Sequence, residues 1–277
     1  MGRVENKVAV FTGAKLEAGA VGIGGAVARQ LVTEGARVVL VNRTLETAQA
    51  LADEINDGLA SAAAIAVSAD LTDAEQVAGA LGAALAAFGT IDILVNNAAV
   101  TGTRGREKDV LQVSVETWDA IYAINVRAPF LMIAAALPAM LAQGSGSIVN
   151  VSSTASLSGD FIRTAYGSSK AALNVLSQYV ATQYGHSGIR CNAILPGLTA
   201  TGNTRANMPA ETWTKIERHV SRPSANTAED VARVVVFLAS DDGAGINGEI
   251  PRVDGGFHGH APYALDVRDL TTGRTET

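Results

Sequence analysis

Short apolar runs alternate with longer helical patterns along almost the whole chain, and this alternation limits the possible folds more than any other feature of the sequence. Each run has the length and composition of a strand buried on both faces. Parallel sheets consist of such strands, because helices cover both faces and connect one strand to the next. The pattern predicts an α/β fold: a single-domain, Rossmann-like, doubly wound parallel sheet over residues 1–277, with helices on both faces. The predicted strands are 7–11, 37–41, 64–68, 91–95, 147–151, 189–195 and 249–253.

Helical periodicity fills the segments between these strands, and several helix ends carry local signals. Gly35 follows the first helix where a C′ glycine belongs, and Gly188 is expected to close the helix that contains Tyr166. Residues 72–75 resemble a capping box, and residues 227–230 are expected to cap a later helix. The predicted helices are 23–34, 44–56, 72–88, 115–141, 165–184 and 227–239. The less regular segments are a flap at about 199–223, with short helical pieces, and a polar, irregular tail at 257–277.

Composition excludes several classes of protein. The formal charge is 21 − 27 = −6 without a block of like charges, so nothing indicates a nucleic-acid or anionic-membrane surface. The single cysteine, Cys191, excludes an internal disulfide and lies in an apolar run, as a small core residue would. We see no signal peptide and no apolar run long enough to span a membrane. We therefore expect a cytoplasmic protein that binds small molecules, and no metal.

The segment 147–170 brings three reactive side chains together. Ser153 follows the predicted strand 147–151, and ligands meet an α/β sheet at its strand ends. Tyr166 and Lys170 lie four residues apart on the next predicted helix, so one helix face carries both. A Tyr–Lys pair alone is more often an ordinary surface feature. The strand before it and the serine at the strand end favour a site.

These three groups can move a proton at a substrate oxygen. A free phenol has a pKa of roughly 10 and is a poor base at neutral pH. The ammonium of Lys170 would stabilise the phenolate of Tyr166 and lower its pKa. Ser153 can donate a hydrogen bond that holds a substrate oxygen near the phenol. The trio therefore predicts acid–base chemistry at a hydroxyl that becomes a carbonyl, or the reverse.

A glycine-rich segment between the first predicted strand and helix indicates a phosphate site. Backbone N–H groups of such a turn can approach a pyrophosphate, and the helix N-terminus adds partial positive charge. Gly13, Gly22 and Gly24 are the candidates, with Gly19 as an alternative. The competing interpretation is a flexible loop before a helix.

The end of the second predicted strand bears on cofactor choice. An acidic residue there would favour NAD by binding the ribose 2′-hydroxyl. This chain has Asn42 and Arg43 instead, and a guanidinium suits a 2′-phosphate. Lys15 in the loop could add to that site. We therefore favour NADP over NAD, against the simpler interpretation of Arg43 as a solvated charge at a helix start.

Taken together, these motifs resemble the short-chain dehydrogenase/reductase family from about residue 7 to residue 256. Each motif alone is weak, whereas their combination in the family's order is specific. One departure is a longer glycine loop, residues 14–21, than the family usually has. The motifs are Thr12-Gly13, Gly22-Ile23-Gly24, Asp70-Leu71, Asn96-Asn97-Ala98, Asn125, Ser153, Tyr166 with Lys170, Pro196-Gly197 and Asp254-Gly255-Gly256.

The resemblance implies a role for each matched residue. Tyr166 would be the catalytic acid/base, Ser153 would orient the substrate oxygen, and Lys170 would bind the nicotinamide ribose. Asn125 would hold a water that links Lys170 to solvent, or would only stabilise a helix irregularity. Asp70 would contact adenine, Asn97 would meet the adenosine ribose or brace the central strands, and Thr201 would lie near the carboxamide. The implied cofactor-binding set is Gly13, Lys15, Gly22, Ile23, Gly24, Asn42, Arg43, Asp70, Leu71, Asn97, Ala98, Tyr166, Lys170, Pro196, Gly197, Thr199 and Thr201.

The resemblance further implies an NAD(P)-dependent oxidoreductase that transfers a hydride between nicotinamide and a secondary alcohol or ketone. The alternatives are a 3-oxoacyl-thioester reductase, an epimerase or dehydratase on the same scaffold, and a non-catalytic NAD(P)-binding sensor. A homo-oligomer, usually a tetramer, is implied, with the helices 115–141 and 165–184 packing against their copies. Flap residues that could form an apolar wall for substrate are Met208, Trp213 and Ile216.

Overall fold

A computed structural model describes residues 2–13, 22–101 and 109–272. Seven strands of this part form one parallel sheet in the order β3-β2-β1-β4-β5-β6-β9. Two short strands, β7 and β8, pair separately. The strands are β1 Val8–Thr12, β2 Arg37–Asn42, β3 Ala64–Ser68, β4 Ile93–Asn96, β5 Gly146–Val151, β6 Ile189–Pro196, β7 Thr199–Ala200, β8 Asn226–Thr227 and β9 Arg252–Val253.

Helices cover both faces of this sheet, as the apolar runs predicted. Successive residues of a strand point to opposite faces, so Phe11 belongs to one apolar core and Val10 to the other. Helices α1, α2 and α9 pack on the first core, and α3, α5 and α6 on the second. The helices are α1 Ile23–Thr33, α2 Leu45–Asn56, α3 Ala74–Phe88, α4 Val115–Tyr122, α5 Ala128–Gln143, α6 Thr164–Tyr184, α7 Gly202–Asn207, α8 Ala210–Glu217, α9 Ala228–Ala239 and α10 Ala264–Thr272.

Helices α4 and α5 form one continuous helix through a π-helical turn, Ala123–Arg127. By length and composition the joined helix, Val115–Gln143, could cross a membrane, although it contains no unbroken apolar run of that length. Its side chains Met132, Ala136 and Met140 are buried against the sheet. The helix therefore has the packing of a core helix.

Several predicted ends differ from the structure. Asp73, and not Thr72, caps α3, because the Thr72 hydroxyl and N–H both bind Asp70 instead. Helix α6 ends at Tyr184, and a 3₁₀ turn separates it from Gly188. The prediction of an irregular tail was wrong in part, because α10 forms within it. The caps at Gly35 and Thr227 are confirmed: Gly35 adopts φ +92°, and Thr227 forms a capping box with Asp230.

The strand order places the change of winding direction between β1 and β4. The carboxyl ends of parallel strands meet at one edge, and a crevice opens where the direction of winding reverses. Gly13, Asn97, Ser153 and Gly197 all follow strands at this edge. The fold therefore gathers the predicted site residues at one rim of the sheet.

Candidate active site

A cleft of about 910 Å³ runs along the carboxyl edge of the sheet, from the start of α1 to the flap. The loops after β1, β4, β5 and β6 form its floor, and α6 forms part of its wall. Most predicted site residues line it: Gly13, Gly22, Ile23, Gly24, Asn97, Ala98, Ser153, Tyr166, Lys170, Pro196, Gly197, Thr199 and Thr201.

Ser153 stands two residues beyond the end of β5, in extended backbone geometry. Its Oγ accepts a hydrogen bond from the N–H of Ala155, 3.2 Å away, at the start of a 3₁₀ turn. A hydroxyl that accepts in this way still has its own proton to donate. Ser153 can therefore donate to an oxygen bound in the cleft.

Tyr166 and Lys170 lie in the cleft wall on the first turns of α6, and both are buried, with exposed fractions of 8% and 2%. The Nζ of Lys170 donates to the carbonyl oxygen of Val151 at 2.8 Å and lies 5.8 Å from the centre of the Tyr166 ring. Burial lowers the pKa of Lys170 to about 7. At neutral pH this amine is close to its titration point, which suits proton exchange.

Asn125 lies in the π-helical turn and is fully buried. Its side-chain amide accepts from the N–H of Val100 at 2.8 Å, donates to the carbonyl of Val100 at 2.9 Å, and donates to Ser169 Oγ at 3.0 Å. Asn125 therefore links the segment after β4 to α6. Its contact on α6 is Ser169, the residue before Lys170. These contacts match the role of stabilising a helix irregularity, and the proton-relay role stays a prediction.

The start of α1 has the features of a phosphate site. Gly22 occupies its N-cap position, and no side chain of the described residues caps the first turn. This turn lines the cleft, so its N–H groups are available to a bound anion. Gly13 adopts φ +74°, and a Cβ there would come within 2.6 Å of the Cα of Ala98. Only glycine allows this close approach of the two loops. Lys15 and Gly19 lie outside the described residues.

Asn97 braces the central strands, one of the two roles that the resemblance implied. Its side-chain amide donates to the carbonyl of Thr12 at 3.2 Å. The Thr12 hydroxyl in turn accepts from the N–H groups of Asn97 and Ala98. These bonds hold the ends of β1 and β4 together at the cleft floor.

Four predicted cofactor-binding residues are not among the described residues that line the cleft. They lie at or just after the ends of β2 and β3: Asn42, Arg43, Asp70 and Leu71. They lie together: Ser68 donates to the carbonyl of Arg43. Hydrogen bonds from the Thr72 backbone and hydroxyl, and then the charge of Arg43, lower the pKa of Asp70. The strand order puts this group beside the β1 end of the cleft.

The opposite end of the cleft is formed by the segment after β6 and by the flap. A Cβ at Gly197 would lie 2.7 Å from the Cβ of Asp254, so the two loops pack tightly. Thr201 caps α7 by accepting from the N–H of Thr204 at 3.1 Å. Of the predicted apolar wall, Met208 and Ile216 line the cleft. Trp213 does not, because it is buried beneath the guanidinium of Arg205.

The cleft residues that sequence reasoning missed include Arg163, Phe257 and His258. Arg163 precedes α6 with φ +65°, and its guanidinium lies 5.9 Å from the centre of the Tyr166 ring. Phe257 and His258 belong to the segment that was predicted to be a polar, irregular tail. The sequence feature that could have indicated His258 is Asp254, four positions earlier. The Asp254 carboxylate binds the His258 ring in the structure.

These residues fit a nicotinamide dinucleotide. The uncapped start of α1 suits its pyrophosphate, and the cleft continues from there to Ser153, Tyr166 and Lys170. Its volume lies near the upper end of the range for cofactor sites. The arrangement can therefore bring a redox cofactor and a proton-exchanging pair to one substrate.

Comparison with known proteins agrees with this geometry. Residues 18–258 match a family model described as enoyl-(acyl carrier protein) reductase. The chain is 42% identical over 266 residues to a probable short-chain type dehydrogenase/reductase of Bradyrhizobium diazoefficiens, covering 96% of this chain and 92% of that protein. It is 34% identical over 262 residues to a 7alpha-hydroxysteroid dehydrogenase of Bacteroides fragilis, covering 95% and 98%. The crystal structure of levodione reductase superposes with a TM-score of 0.83 at 30% identity, covering 93% and 99%.

Proposed function

The chain belongs to the short-chain dehydrogenase/reductase family, and from this premise we propose that it interconverts a secondary alcohol and a ketone in the cytoplasm, with Tyr166 as the acid/base. Family membership carries the coarser statement: the protein is an NAD(P)-dependent oxidoreductase that acts on alcohols. The observation that best supports the finer proposal is the position of Tyr166 and Lys170, buried together in the wall of the cleft that Ser153 also lines. The hydroxysteroid dehydrogenase among the relatives supports an alcohol substrate.

In the oxidation direction, two side chains act on the substrate hydroxyl. Ser153 donates a hydrogen bond to the hydroxyl oxygen and holds it. Tyr166 takes the hydroxyl proton as the carbonyl forms. The start of α1 and the adjoining cleft would hold a nicotinamide dinucleotide, and that group would supply the acceptor for the hydride that leaves the carbinol carbon. In reduction the same groups act in reverse, and Tyr166 returns the proton to the oxygen.

Lys170 completes the proton path. Its Nζ has three donor positions when it is charged, and the carbonyl of Val151 takes one. Among residues 2–13, 22–101 and 109–272 no second acceptor binds Nζ, so another position can bind the cofactor ribose, the role that family resemblance gives it. With a pKa lowered to about 7, Lys170 can give or take a proton at neutral pH without a large energetic cost.

For the cofactor, we propose NADP, with NAD as the alternative. Arg43 is exposed at the end of β2, where the ribose of a dinucleotide bound at the switch point is read. Its guanidinium lies close enough to Asp70 to lower the pKa of that carboxyl. The positive charge of Arg43 is therefore near the residues that follow β3. Paired, charge-assisted hydrogen bonds from a guanidinium favour a 2′-phosphate.

We also propose that the protein forms a homo-oligomer, usually a tetramer in this family, through α5 and α6. Phe130, Val175 and Tyr179 are all more than half exposed on these helices. Phe130 and Leu176 line one apolar depression of about 450 Å³. Exposed apolar side chains at neighbouring positions of two helices are typical of a surface that is buried in an assembly.

A panel of substrates tests the proposed activity. Secondary alcohols and ketones of aliphatic, cyclic and steroid type, and a 3-oxoacyl thioester, would be assayed with NADPH or NADP⁺ and with NADH or NAD⁺. We expect a net change in reduced cofactor with at least one alcohol–ketone pair. Turnover of the thioester alone would favour the reductase alternative, conversion without net cofactor change an epimerase, and tight cofactor binding without any conversion a sensor.

The Tyr166→Phe variant tests the acid/base role. Removing the phenolic oxygen should lower kcat by about 10²–10⁴-fold, the usual contribution of a positioned acid or base. Cofactor affinity, measured by fluorescence titration, should change less than twofold. Tyr184→Phe is the matched control, because Tyr184 is the last residue of the same helix and is not among the described residues that line the cleft. Equal kcat values for both variants would exclude Tyr166 as the acid/base.

A further inference from the structure

Asp254 and His258 form a rigid pair beside the cleft. Asp254 follows β9 and is only 6% exposed. One of its oxygens, Oδ1, accepts from the N–H of Gly256 at 2.9 Å, and the other, Oδ2, accepts from the N–H of His258 at 3.0 Å. Burial opposes its charge, but these backbone hydrogen bonds outweigh burial and lower the pKa of Asp254. The carboxyl is therefore ionised at neutral pH and can only accept.

The contact with this carboxylate determines which nitrogen carries the proton in the neutral His258 ring. Nδ1 of His258 lies 3.1 Å from Oδ2 of Asp254. Because a carboxylate only accepts, Nδ1 must carry the proton in this contact. In the neutral ring, Nε2 then has a free lone pair and acts as a hydrogen-bond acceptor. The contact with Asp254 thus gives the ring a defined orientation and, in the neutral ring, leaves Nε2 as the acceptor.

The rest of the segment holds the ring in place. Arg252 donates to the carbonyl of His258 at 2.9 Å, and the Phe257 ring lies 5.0 Å from the His258 ring, centre to centre. Phe257 itself contacts the ring of His219 at the end of the flap. The imidazole is therefore fixed by its backbone, its Nδ1 and its neighbours before any ligand binds.

His258 faces the cleft next to apolar side chains. It lines the cleft together with Phe257 and with Met208 and Ile216 of the flap. Within the described part of the chain, Nε2 of His258 has no hydrogen-bond partner. Nε2 is also not fully buried, so a ligand can reach it. A fixed acceptor beside an apolar wall selects for a ligand with a hydroxyl at that point and carbon around it.

We propose that His258 is a specificity-determining residue whose Nε2 accepts a hydrogen bond from a second hydroxyl of the substrate, remote from the carbon that is oxidised. The substrate class is then a diol or hydroxyketone on an apolar skeleton. The inference rests on the proposed alcohol–ketone activity and deepens it. His258 takes no part in the proton transfer, which belongs to Tyr166.

Matched alcohols test this inference. The wild-type protein would be assayed with cyclohexanol and with each of the 1,2-, 1,3- and 1,4-cyclohexanediols, and with 2-butanol and 2,3-butanediol. The readout is the ratio of kcat/KM for a diol to kcat/KM for its mono-alcohol in the same protein. We expect at least one diol to be preferred about tenfold or more, the effect of one well-placed hydrogen bond.

Two variants separate a hydrogen bond from a loss of structure. In His258→Leu the ratio should fall about tenfold, chiefly through a higher KM for the diol. In His258→Gln, whose amide oxygen can accept, much of the ratio should return. A ratio that stays unchanged in His258→Leu overturns the inference, and so does a ratio in His258→Gln as low as in His258→Leu.

Failure of the proposed function gives a different result. If no alcohol or ketone of the wider panel changes the amount of reduced cofactor, the alcohol–ketone activity is refuted, and the role of His258 with it. If mono-alcohols and diols are both oxidised but equally well, the activity stands and only the role of His258 is refuted.

Discussion

Replacing Lys170 by Met should change how the stability of the cofactor-free protein depends on pH. Lys170 is 2% exposed, and burial lowers its pKa from 10.5 to about 7. Between these two pH values the unfolded chain binds more protons than the folded one, so wild-type stability rises with pH. The cost of burying this amine is therefore greatest below pH 7 and disappears above about pH 10.5.

The size of the effect follows from the same two pKa values. Linkage with 10.5 unfolded and about 7 folded gives a gain of about 2 kcal/mol for the wild type between pH 7 and pH 9. Lys170→Met has no titrating group and should lack this gain. The variant also loses the hydrogen bond to Val151, which shifts its stability by the same amount at every pH. The stability difference between wild type and Lys170→Met therefore changes with pH only through the buried amine.

Urea unfolding of both proteins at pH 7, 8 and 9 measures this difference. Lys215→Met is the control, since the Lys215 side chain is 71% exposed and should show no pH-dependent difference from the wild type. If the stability difference between wild type and Lys170→Met is the same at pH 7 and pH 9, Lys170 keeps its ordinary pKa in the folded state. The argument for a neutral-pH proton exchanger beside Tyr166 would then be refuted.

Two further predictions concern the cofactor and the assembly. Arg43→Asp should shift cofactor preference towards NADH by at least about tenfold, because a carboxylate repels a 2′-phosphate and accepts from a 2′-hydroxyl. The measurement is the ratio of kcat/KM with NADPH to kcat/KM with NADH. An unchanged ratio would mean that Arg43 does not contact that ribose. Phe130→Asp places a charge on the half-exposed apolar surface of α5, and it should weaken self-association at least about tenfold, measured as solution mass against concentration. A wild-type protein that is monomeric at all concentrations would remove the proposed interface.

The sheet and its reactive edge could be predicted because their signals are local. Strands buried on both faces are apolar throughout, so all seven predicted strands correspond to strands in the sheet, although β9 is shorter than predicted. Helical spacing alone places Tyr166 and Lys170 on one face of α6. Ser153 follows from its position just after a strand, where the edge of any parallel sheet offers a ligand site.

Other features depend on which of several side chains forms a given hydrogen bond, and the periodicity of the sequence does not predict that. Thr72 looked like a helix cap, but its hydroxyl and N–H bind Asp70, and Asp73 caps α3 instead. The π-helical turn around Asn125 depends on contacts with Val100, which is distant along the chain.

The sequence by itself determined the fold class, the order of the strands along the chain and the Ser153, Tyr166 and Lys170 set. Only the tertiary structure decided that Lys170 is buried, which lowers its pKa to about 7, and that His258 joins the same cleft. Burial of the amine comes from packing of α6 on the sheet, and His258 reaches the cleft because the segment after β9 folds back over Gly197 and the flap. The desolvation of a side chain and the contact between distant segments both depend on many residues that are far apart in the sequence. No short pattern in the chain contains them.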